Sequence, residues 1–296
     1  MIKSKSISEY VFNVFNLILM GILTLLCLYP IWYALCLSIS EKAAANAGLV
    51  TFYPIGFSLQ SYREIMRDIS FFNSFWISIQ RTVLGTAITL FVLILMAYPL
   101  AKSKKDFKPR GAIMWVIIFC MLFNGGTIPW YITVKNYRLI DSIWGLVLSG
   151  SLPVFNLILM VNFFRSIPSD LEEAAVIDGA GPWKILFMVV VPCSIPVIAT
   201  IVLFTSVYHW NEFFQGLVLT TSESRYPLQT YIRQLVVNIQ ASMSTLSREQ
   251  LEEYLKLSNK SLNAAKVFIA MIPMLVVYPF IQRYFISGIM LGAVKE

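Results

Sequence analysis

Long stretches without a charged residue limit most strongly how this chain can fold. Uncharged runs occupy residues 11–39, 82–101, 111–134, 142–164 and 185–211. A helix needs about 20 residues to cross the hydrocarbon of a bilayer, and each run reaches that length. A shorter run, 267–282, reaches it when Lys266 and Arg283 extend their long side chains towards water. The sequence therefore predicts an all-α integral membrane protein with six transmembrane helices.

Composition excludes the main alternatives to a membrane protein. Of the 296 residues, 57% are hydrophobic and 13% are charged, whereas about 25% are charged in a typical soluble domain. A soluble fold would have too few charges for its exterior. This excludes a cytosolic enzyme, a disordered chain and a disulfide-stapled secreted domain. A single histidine, His209, and four cysteines without a C-x-x-C pair predict no metal site in this chain.

The loops set the boundaries and the orientation of the predicted helices. We predict one domain over residues 1–296, with spans at 11–39, 73–101, 111–134, 142–164, 185–211 and 266–288. The second span begins ahead of its uncharged run and so contains Arg81. The loop 102–110 carries five basic residues and one acidic residue, and basic loops stay on the cytoplasmic side. We therefore expect a multi-pass protein of the cell (cytoplasmic or inner) membrane, with both termini cytoplasmic and 220–265 as an extracytoplasmic loop.

A short helix is predicted between the fourth and fifth spans, in residues 166–183. Ser169 and Glu172 have the spacing of a capping box at a helix start, and acidic residues in the first turn suit the helix dipole. Gly179, Gly181 and Pro182 end the helix. It is too short to cross a bilayer and too acidic to lie within one. The pattern therefore predicts a capped cytoplasmic helix that docks into a groove of a soluble partner.

This segment also carries a family resemblance. Glu173-Ala174-Ala175, Gly179 after three residues and Val189-x-Val191-Pro192 after nine more resemble the E-A-A-x3-G-x9-I-x-L-P signature of ABC-importer permeases, with Val in place of Ile and Leu. The resemblance implies the type I ABC-importer permease fold, in which this helix is a coupling helix seated in a cleft of a separate ATPase. The implied coupling residues are Glu172, Glu173, Ala174, Ala175, Asp178 and Gly179. Glu173 would be the charged contact, and Gly179 would permit the turn.

Three further stretches narrow the resemblance. The runs 208–214 and 282–295 are similar to carbohydrate-uptake permeases of the maltose type. The run 123–131 resembles the subgroup for complex oligo- or polysaccharides, including alginate-type importers. The resemblance implies a heterodimer with a second homologous permease, two ATP-binding subunits and an extracytoplasmic solute-binding protein. The chain has no G-x-x-x-x-G-K-[ST] loop for binding ATP. We therefore expect no cofactor in this chain, with ATP and Mg bound by the partner ATPase. We also expect neither enzymatic activity nor nucleic-acid binding.

Polar and aromatic residues within the spans are candidates for a sugar pathway. Sugars stack on aromatic rings and hydrogen-bond amides and hydroxyls, and polar groups at membrane depth usually face a cavity. The candidates are Arg81, Asn124, Tyr131, Asn156, Asn162, Tyr208, Trp210 and Asn211. Arg81 has three alternatives: to extend towards water, to pair with Glu212, or to face an acidic sugar.

Several other readings stay open from the sequence. His209 and Glu212 could hydrogen-bond each other, could face water, or could form a catalytic pair. The mixed-charge stretch 247–256 contacts the solute-binding protein or is a solvated helix. Alternative functions are a permease for another solute, an intramembrane polysaccharide- or lipid-modifying enzyme, and a structural assembly factor.

Overall fold

The computed structural model describes residues 7–123, 125–150, 152–245 and 259–293, and in these ranges the chain is helical without a β-strand. In chain order the helices are α1 Ile7–Ser38, α2 Lys42–Asn46, α3 Gln60–Ile65, α4 Ile69–Ala101, α5 Arg110–Leu122, α6 Thr127–Asn136, α7 Ile143–Leu148, α8 Val154–Ser166, α9 Ser169–Ile177, α10 Pro182–Ile185, a π-helical segment Leu186–Val190, α11 Val191–Cys193, α12 Ile195–Asn211, α13 Phe214–Leu219, a 3₁₀ turn Glu223–Arg225, α14 Leu228–Thr245 and α15 Lys260–Ala293. Contacts divide the chain into two units, Met1–Ile69 with Gln234–Ile272 and Ser70–Arg233 with Pro273–Glu296.

In the first unit, the last turns of α1 contact the segment that follows them. Trp32 Nε1 donates a hydrogen bond to the carbonyl oxygen of Phe52 at 2.8 Å. After α3, Asp68 Oδ2 lies 2.6 Å from the Nζ of Lys266 in α15. The apolar residues of α1 from Tyr10 onwards are mostly exposed. Such a surface is typical of a helix surrounded by lipid or by other membrane helices.

The core of the second unit lies where α4, α8, the π-helical segment and α12 meet. Leu93, Ala97 and Leu100 are spaced by four and three residues, so they share one face of α4. The fully buried residues packed with them include Leu157, Met160, Val161, Val190 and Ile201. Because helices in a bilayer associate through close packing, this interlocked cluster is the rigid support for the elements described below.

The lengths of the described helices account for up to five membrane crossings. Three helical stretches are long and apolar enough to span, Ser8–Ser38, Ile69–Ala101 and Lys260–Val277. Two bent pairs raise the number to five if each pair forms one span, Arg110–Leu122 with Thr127–Asn136 and Pro182–Cys193 with Ile195–Asn211. The apolar helix α8 has only 13 residues. The count of six spans therefore stays a prediction.

Three of the predicted spans are not single straight helices in the structure. The predicted spans 111–134 and 142–164 each contain residues of two separate helices, and 185–211 is bent by 81° at Ser194. Pro153 directly precedes α8, and Pro196 lies in the first turn of α12. Proline lacks the N–H that a helix interior requires, so helices begin or bend there.

The predicted extracytoplasmic loop 220–265 begins with helical structure. It contains the 3₁₀ turn and α14, whose last residue is Thr245. Residues 246–258, which include the mixed-charge stretch 247–256, lie outside the described residues.

Candidate functional site

The segment predicted as a short docking helix forms α9. Gly179 follows this helix with a φ of +74°, a backbone conformation that favours glycine. The amide of Ala180 donates to the carbonyl oxygen of Ala175 at 2.9 Å, which closes the helix end. The predicted end of the helix and the turn at Gly179 are confirmed.

The start of α9 differs from the prediction. Pro168 occupies the position before the helix, Ser169 lies in its first turn, and no side chain caps the free amides. Glu172 instead forms an ion pair with Lys102. A charged partner makes a stronger hydrogen bond than a neutral amide, and this contact occupies the carboxylate. The predicted capping box of Ser169 and Glu172 is therefore wrong.

The residues after α4 hold α9 in place. Lys102, whose side chain pairs with Glu172, also lies over the ring of Tyr98, with its Nζ 4.4 Å from the ring centroid. Arg110 Nη1 donates to the carbonyl oxygen of Lys102 at 3.0 Å, and Arg165 Nη2 donates to that of Leu100 at 3.0 Å. Burial lowers the pKa of Lys102, and Asp106 offsets part of this shift. The basic loop 102–110 and α9 therefore lie at the same end of the second unit.

The outer face of α9 is exposed and partly apolar. Glu173 and Ala174 are exposed, and Ile177 is 85% exposed. Beyond the turn, Trp183 is 66% exposed and stacks on Phe187. Ile177 and Trp183 were not among the predicted residues, although large apolar residues in and beside a short acidic helix were a usable signal. With Ala175 packed on the core, α9 presents a surface suited to a protein partner.

A buried polar network lies about twelve residues into α4. Arg81 is fully buried, and its Nη2 lies 2.9 Å from Glu212 Oε2. Its Nη1 donates to the carbonyl oxygen of Glu212 at 3.0 Å, and its Nη2 also donates to Gln215. Gln215 Nε2 in turn contacts the hydroxyl of Tyr208 at 3.3 Å. Of the three alternatives for Arg81, the structure selects the pair with Glu212.

The pairing of His209 with Glu212 does not occur. The carboxylate of Glu212 is bound by Arg81 and by the amide of Gln215. The ring of His209 lies instead against Gly85, where a Cβ atom would approach it to 2.5 Å, and it hydrogen-bonds the backbone of Gly85. Glycine at position 85 therefore provides the space for this buried imidazole.

A cavity of about 300 Å³ borders this network. Its lining residues are Thr89, Val147, Gly150, Pro153, Phe155, Asn156, Phe204, Thr205, Tyr208 and His209. Thr205 and His209 are each 3% exposed, and neither Thr205 Oγ1 nor His209 Nδ1 has a hydrogen-bond partner among the described residues. A buried polar atom without a partner costs about 1–3 kcal/mol. The cavity is thus lined by aromatic rings and by polar residues, two of which carry a buried polar atom without a partner among the described residues.

A second cavity shares Tyr208 with the first. It has a volume of about 380 Å³ and is lined by Gly126, Thr127, Trp130, Ser149, Tyr208, Glu212, Phe214 and Gln215. The rings of Trp130 and Phe214 are stacked, with centroids 6.4 Å apart. Gln215, Thr205 and Trp130 were not among the predicted pathway residues, because nothing in the local pattern shows which side chains converge.

The structure brings some of the predicted pathway residues together and separates others. Asn156 and Tyr208 line the first cavity. Trp210 is buried against Phe75 and lines neither cavity, and Tyr131 packs on an apolar cluster near Leu146. The remaining predicted residues that line neither cavity are Arg81, Asn162 and Asn211, the last two of which are exposed. Asn124 lies outside the described residues.

Comparisons with known proteins agree with this architecture. The chain is 36% identical over 289 residues to the polygalacturonan/rhamnogalacturonan transport system permease protein YtcP of Bacillus subtilis, covering 96% of this chain and 99% of that protein. It is 30% identical to the melibiose/raffinose/stachyose import permease protein MelC of Bacillus subtilis, covering 93% and 97%. A solved bacterial ABC transporter involved in the import of the acidic polysaccharide alginate contains a chain with 33% identity and a TM-score of 0.84, covering 95% of this chain and 99% of that one.

Residues 80–290 match the profile of the binding-protein-dependent transport system inner membrane component. This match includes α9, the buried network and both cavities. The chain belongs to the family of binding-protein-dependent transport system inner membrane components.

Proposed function

We propose that this chain is one of two permease subunits of an ATP-driven importer of oligo- or polysaccharides. The observation that carries this proposal is the cavity beside Tyr208, which is lined by aromatic rings and by polar residues with unpartnered side-chain atoms, a lining suited to a sugar. Similarity to permeases named for polygalacturonan/rhamnogalacturonan and for melibiose/raffinose/stachyose supports the substrate class. The partners are a second homologous permease, two ATP-binding subunits and an extracytoplasmic binding protein.

The first cavity contributes hydrogen-bond acceptors to the proposed path. One ring nitrogen of His209 engages the backbone of Gly85, and the other, Nδ1, has no partner among the described residues. A neutral imidazole that donates through one nitrogen accepts through the other. A sugar hydroxyl donates to Nδ1 and exchanges a second hydrogen bond with Thr205, while Phe155 and Phe204 contact its C–H faces.

Charge in this half of the path is internally balanced. Glu212 lines the second cavity, but its carboxylate is paired with the fully buried Arg81. The pair therefore adds no net charge to the lining of the path, and Arg81 does not bind the carboxylate of an acidic sugar. A catalytic role for His209 and Glu212 is disfavoured, because Glu212 is engaged elsewhere.

We propose that α9 is the coupling helix and that the membrane topology has six spans with both termini in the cytoplasm. The ion pair between Lys102 and Glu172 supports this orientation, because it holds α9 beside the most basic loop. The exposed surface formed by Glu173, Ala174 and Ile177 would enter a cleft of the ATPase. Movement of the closing ATPase would then reach the core through Ala175.

Uptake by the reconstituted importer tests the proposed function. Asn156 is 5% exposed and lines the first cavity, whereas Asn162 is exposed on the same helix. We expect Asn156→Leu to lower ATP-driven uptake of labelled oligogalacturonides at least about tenfold, a loss of one hydrogen bond or about 1.4 kcal/mol. Asn162→Leu is the matched control. Absence of uptake of any glycan by the wild-type importer would contradict the proposal.

A further inference from the structure

A groove at the start of α5 carries charge and apolar surface that the transport proposal does not use. This basic groove has a volume of about 330 Å³ and is lined by Lys104, Arg110, Gly111, Met114, Trp115 and Ile118. The last four recur at intervals of three, one and three residues, so they form one face of α5. Lys104 and Arg110 lie at the end of that apolar face.

The cations of the basic groove are not neutralised within the described chain. Lys102 uses the carboxylate of Glu172, and Asp106 accepts from the hydroxyl of Ser103 at 2.7 Å. Neither Lys104 nor Arg110 forms an ion pair in the ranges that the structure covers. The pKa of Arg165 is lowered mainly by burial and further by the charge of Arg110. Asp106 compensates only part of the positive charge at this end of the unit, since it is one carboxylate beside several cations.

The loop that carries these cations is already ordered. The hydroxyl of Ser103 accepts from the amides of Lys105 and Asp106 at 3.2 and 3.3 Å. The amide of Phe107 donates to the carbonyl oxygen of Ser103 at 3.0 Å, and its ring packs on the core. A ligand that binds here pays little entropy to order the loop.

We propose that the basic groove binds an anionic phospholipid, with its phosphate between Lys104 and Arg110 and one acyl chain along Met114, Trp115 and Ile118. The apolar face favours a lipid over a free anion, which would leave it uncovered. Trp115 is 74% exposed, and tryptophan is enriched where a membrane protein meets the headgroups. Basic pockets at the cytoplasmic ends of helices bind such headgroups; the assignment to the cytoplasmic leaflet rests on the proposed function.

The position of the groove gives the lipid a structural consequence. Arg110 also donates to the backbone of Lys102, whose side chain pairs with Glu172 of α9. A phosphate that holds Arg110 therefore restrains the residues on which α9 rests.

Quenching of Trp115 by brominated lipid tests the proposal. The complete purified importer, depleted of lipid in detergent, is titrated with phosphatidylglycerol or phosphatidylcholine brominated on the acyl chains, and the signal of Trp115 is the difference from Trp115→Phe. We expect phosphatidylglycerol to bind at least about tenfold more tightly. Since each cation near a membrane contributes roughly fivefold, Lys104→Gln should weaken binding by about fivefold and the K104Q/R110Q pair by about 25-fold.

The matched control is the K135Q/R138Q pair, which removes two exposed cations elsewhere and should leave the titration unchanged. Equal quenching by both lipids, or unchanged preference in the single variant Lys104→Gln, would overturn the proposal. Displacement of the brominated lipid by inorganic phosphate at concentrations as low as those of unbrominated phosphatidylglycerol would identify a free-anion site and also contradict it. Glycan uptake by the same preparation reports separately on the proposed function.

Discussion

Two ion pairs, one from within α4 and one from the residue directly after it, have different surroundings and different roles. Arg81 and Glu212 are 0% and 13% exposed, and Arg81 donates to further acceptors on Glu212 and Gln215. Lys102 and Glu172 are 26% and 25% exposed. The two cations are 21 positions apart, or about 30 Å along a helix. The first pair lies beside the two cavities of the proposed sugar path, and the second holds α9, the proposed coupling helix.

The difference shows how one helix supports two functions. Separating a buried pair leaves an uncompensated charge and costs about 3–5 kcal/mol, so Arg81 and Glu212 are expected to form a fixed wall. A pair that keeps contact with water contributes about 0–1 kcal/mol. Burial lowers the pKa of Lys102, and the charge of Asp106 offsets part of this shift. The anchor of α9 is therefore expected to yield when a partner moves it.

The largest expected effect is on the buried pair. Glu212→Leu leaves the guanidinium of Arg81 buried without its carboxylate, and Arg81 Nε already lacks a partner in the described structure. We expect the free energy of unfolding in detergent to fall by about 3 kcal/mol or more. The R81M/E212L double variant removes both charges and should lose less than Glu212→Leu alone. A loss below about 1 kcal/mol in the single variant would show that the pair is not fixed.

The next largest effect concerns Thr205, where a substitution should change glycan uptake without lowering stability. Thr205→Val replaces an unpartnered hydroxyl with a methyl group of similar shape, so stability should stay unchanged or rise by about 1 kcal/mol. Glycan uptake should fall about tenfold if a sugar hydroxyl binds there. Thr200→Val is the control, because Thr200 Oγ1 already donates to the carbonyl oxygen of Pro196 at 3.0 Å. Equal uptake by Thr205→Val and the wild type would remove Thr205 from the path.

A smaller effect is expected at the partly exposed pair of Lys102 and Glu172. Lys102→Gln should lower the free energy of unfolding by less than about 1 kcal/mol, because both partners retain water. Its effect should appear instead as a weaker dependence of ATP hydrolysis on transport substrate. Chemical denaturation and ATPase measurements on the same preparation check both parts. A loss of stability as large as that of Glu212→Leu would contradict the comparison.

The smallest effect concerns a carboxylate held by hydrogen bonds. The hydroxyl and the amide of Thr221 donate to Asp141 at 2.5 and 2.7 Å and hold the pKa of Asp141 below its usual value. The stabilisation is present above the ordinary pKa of about 3.9 and is lost as pH falls through the lowered pKa. We expect the melting temperature of Asp141→Asn to lie slightly below that of the wild type at pH 7. The gap should close in acid, and a constant gap would exclude this role.

The sequence was most informative where function depends on local backbone structure. The acidic helix and its glycine turn were predictable because a φ of +74° at Gly179 and the dipole at a helix start depend on neighbouring residues. The capping box failed because Lys102, 70 positions away, competes for Glu172. Long-range contacts of this kind leave no trace in local spacing.

The cavity was only partly predictable for the same reason. Asn156 and Tyr208 are polar or amphipathic residues at membrane depth, and the structure brings both to one cavity. Trp210 has the same character, but it lies on another face of α12 and packs against Phe75. Gln215 became meaningful only through its contacts with Arg81 and Tyr208. The bends that set these faces come from Pro153 and the region around Ser194.

Cross-linking of α9 tests the central claim most directly. After the four native cysteines are replaced, Ile177→Cys is compared with Met66→Cys, which is 73% exposed in the first unit. Each variant is treated with a short thiol cross-linker in the assembled importer, together with an ATP-binding subunit that carries single cysteines along its cleft. We expect a cross-link from position 177 that changes in yield with ATP, and none from position 66. No cross-link from position 177, with position 66 reacting in its place, would contradict the account.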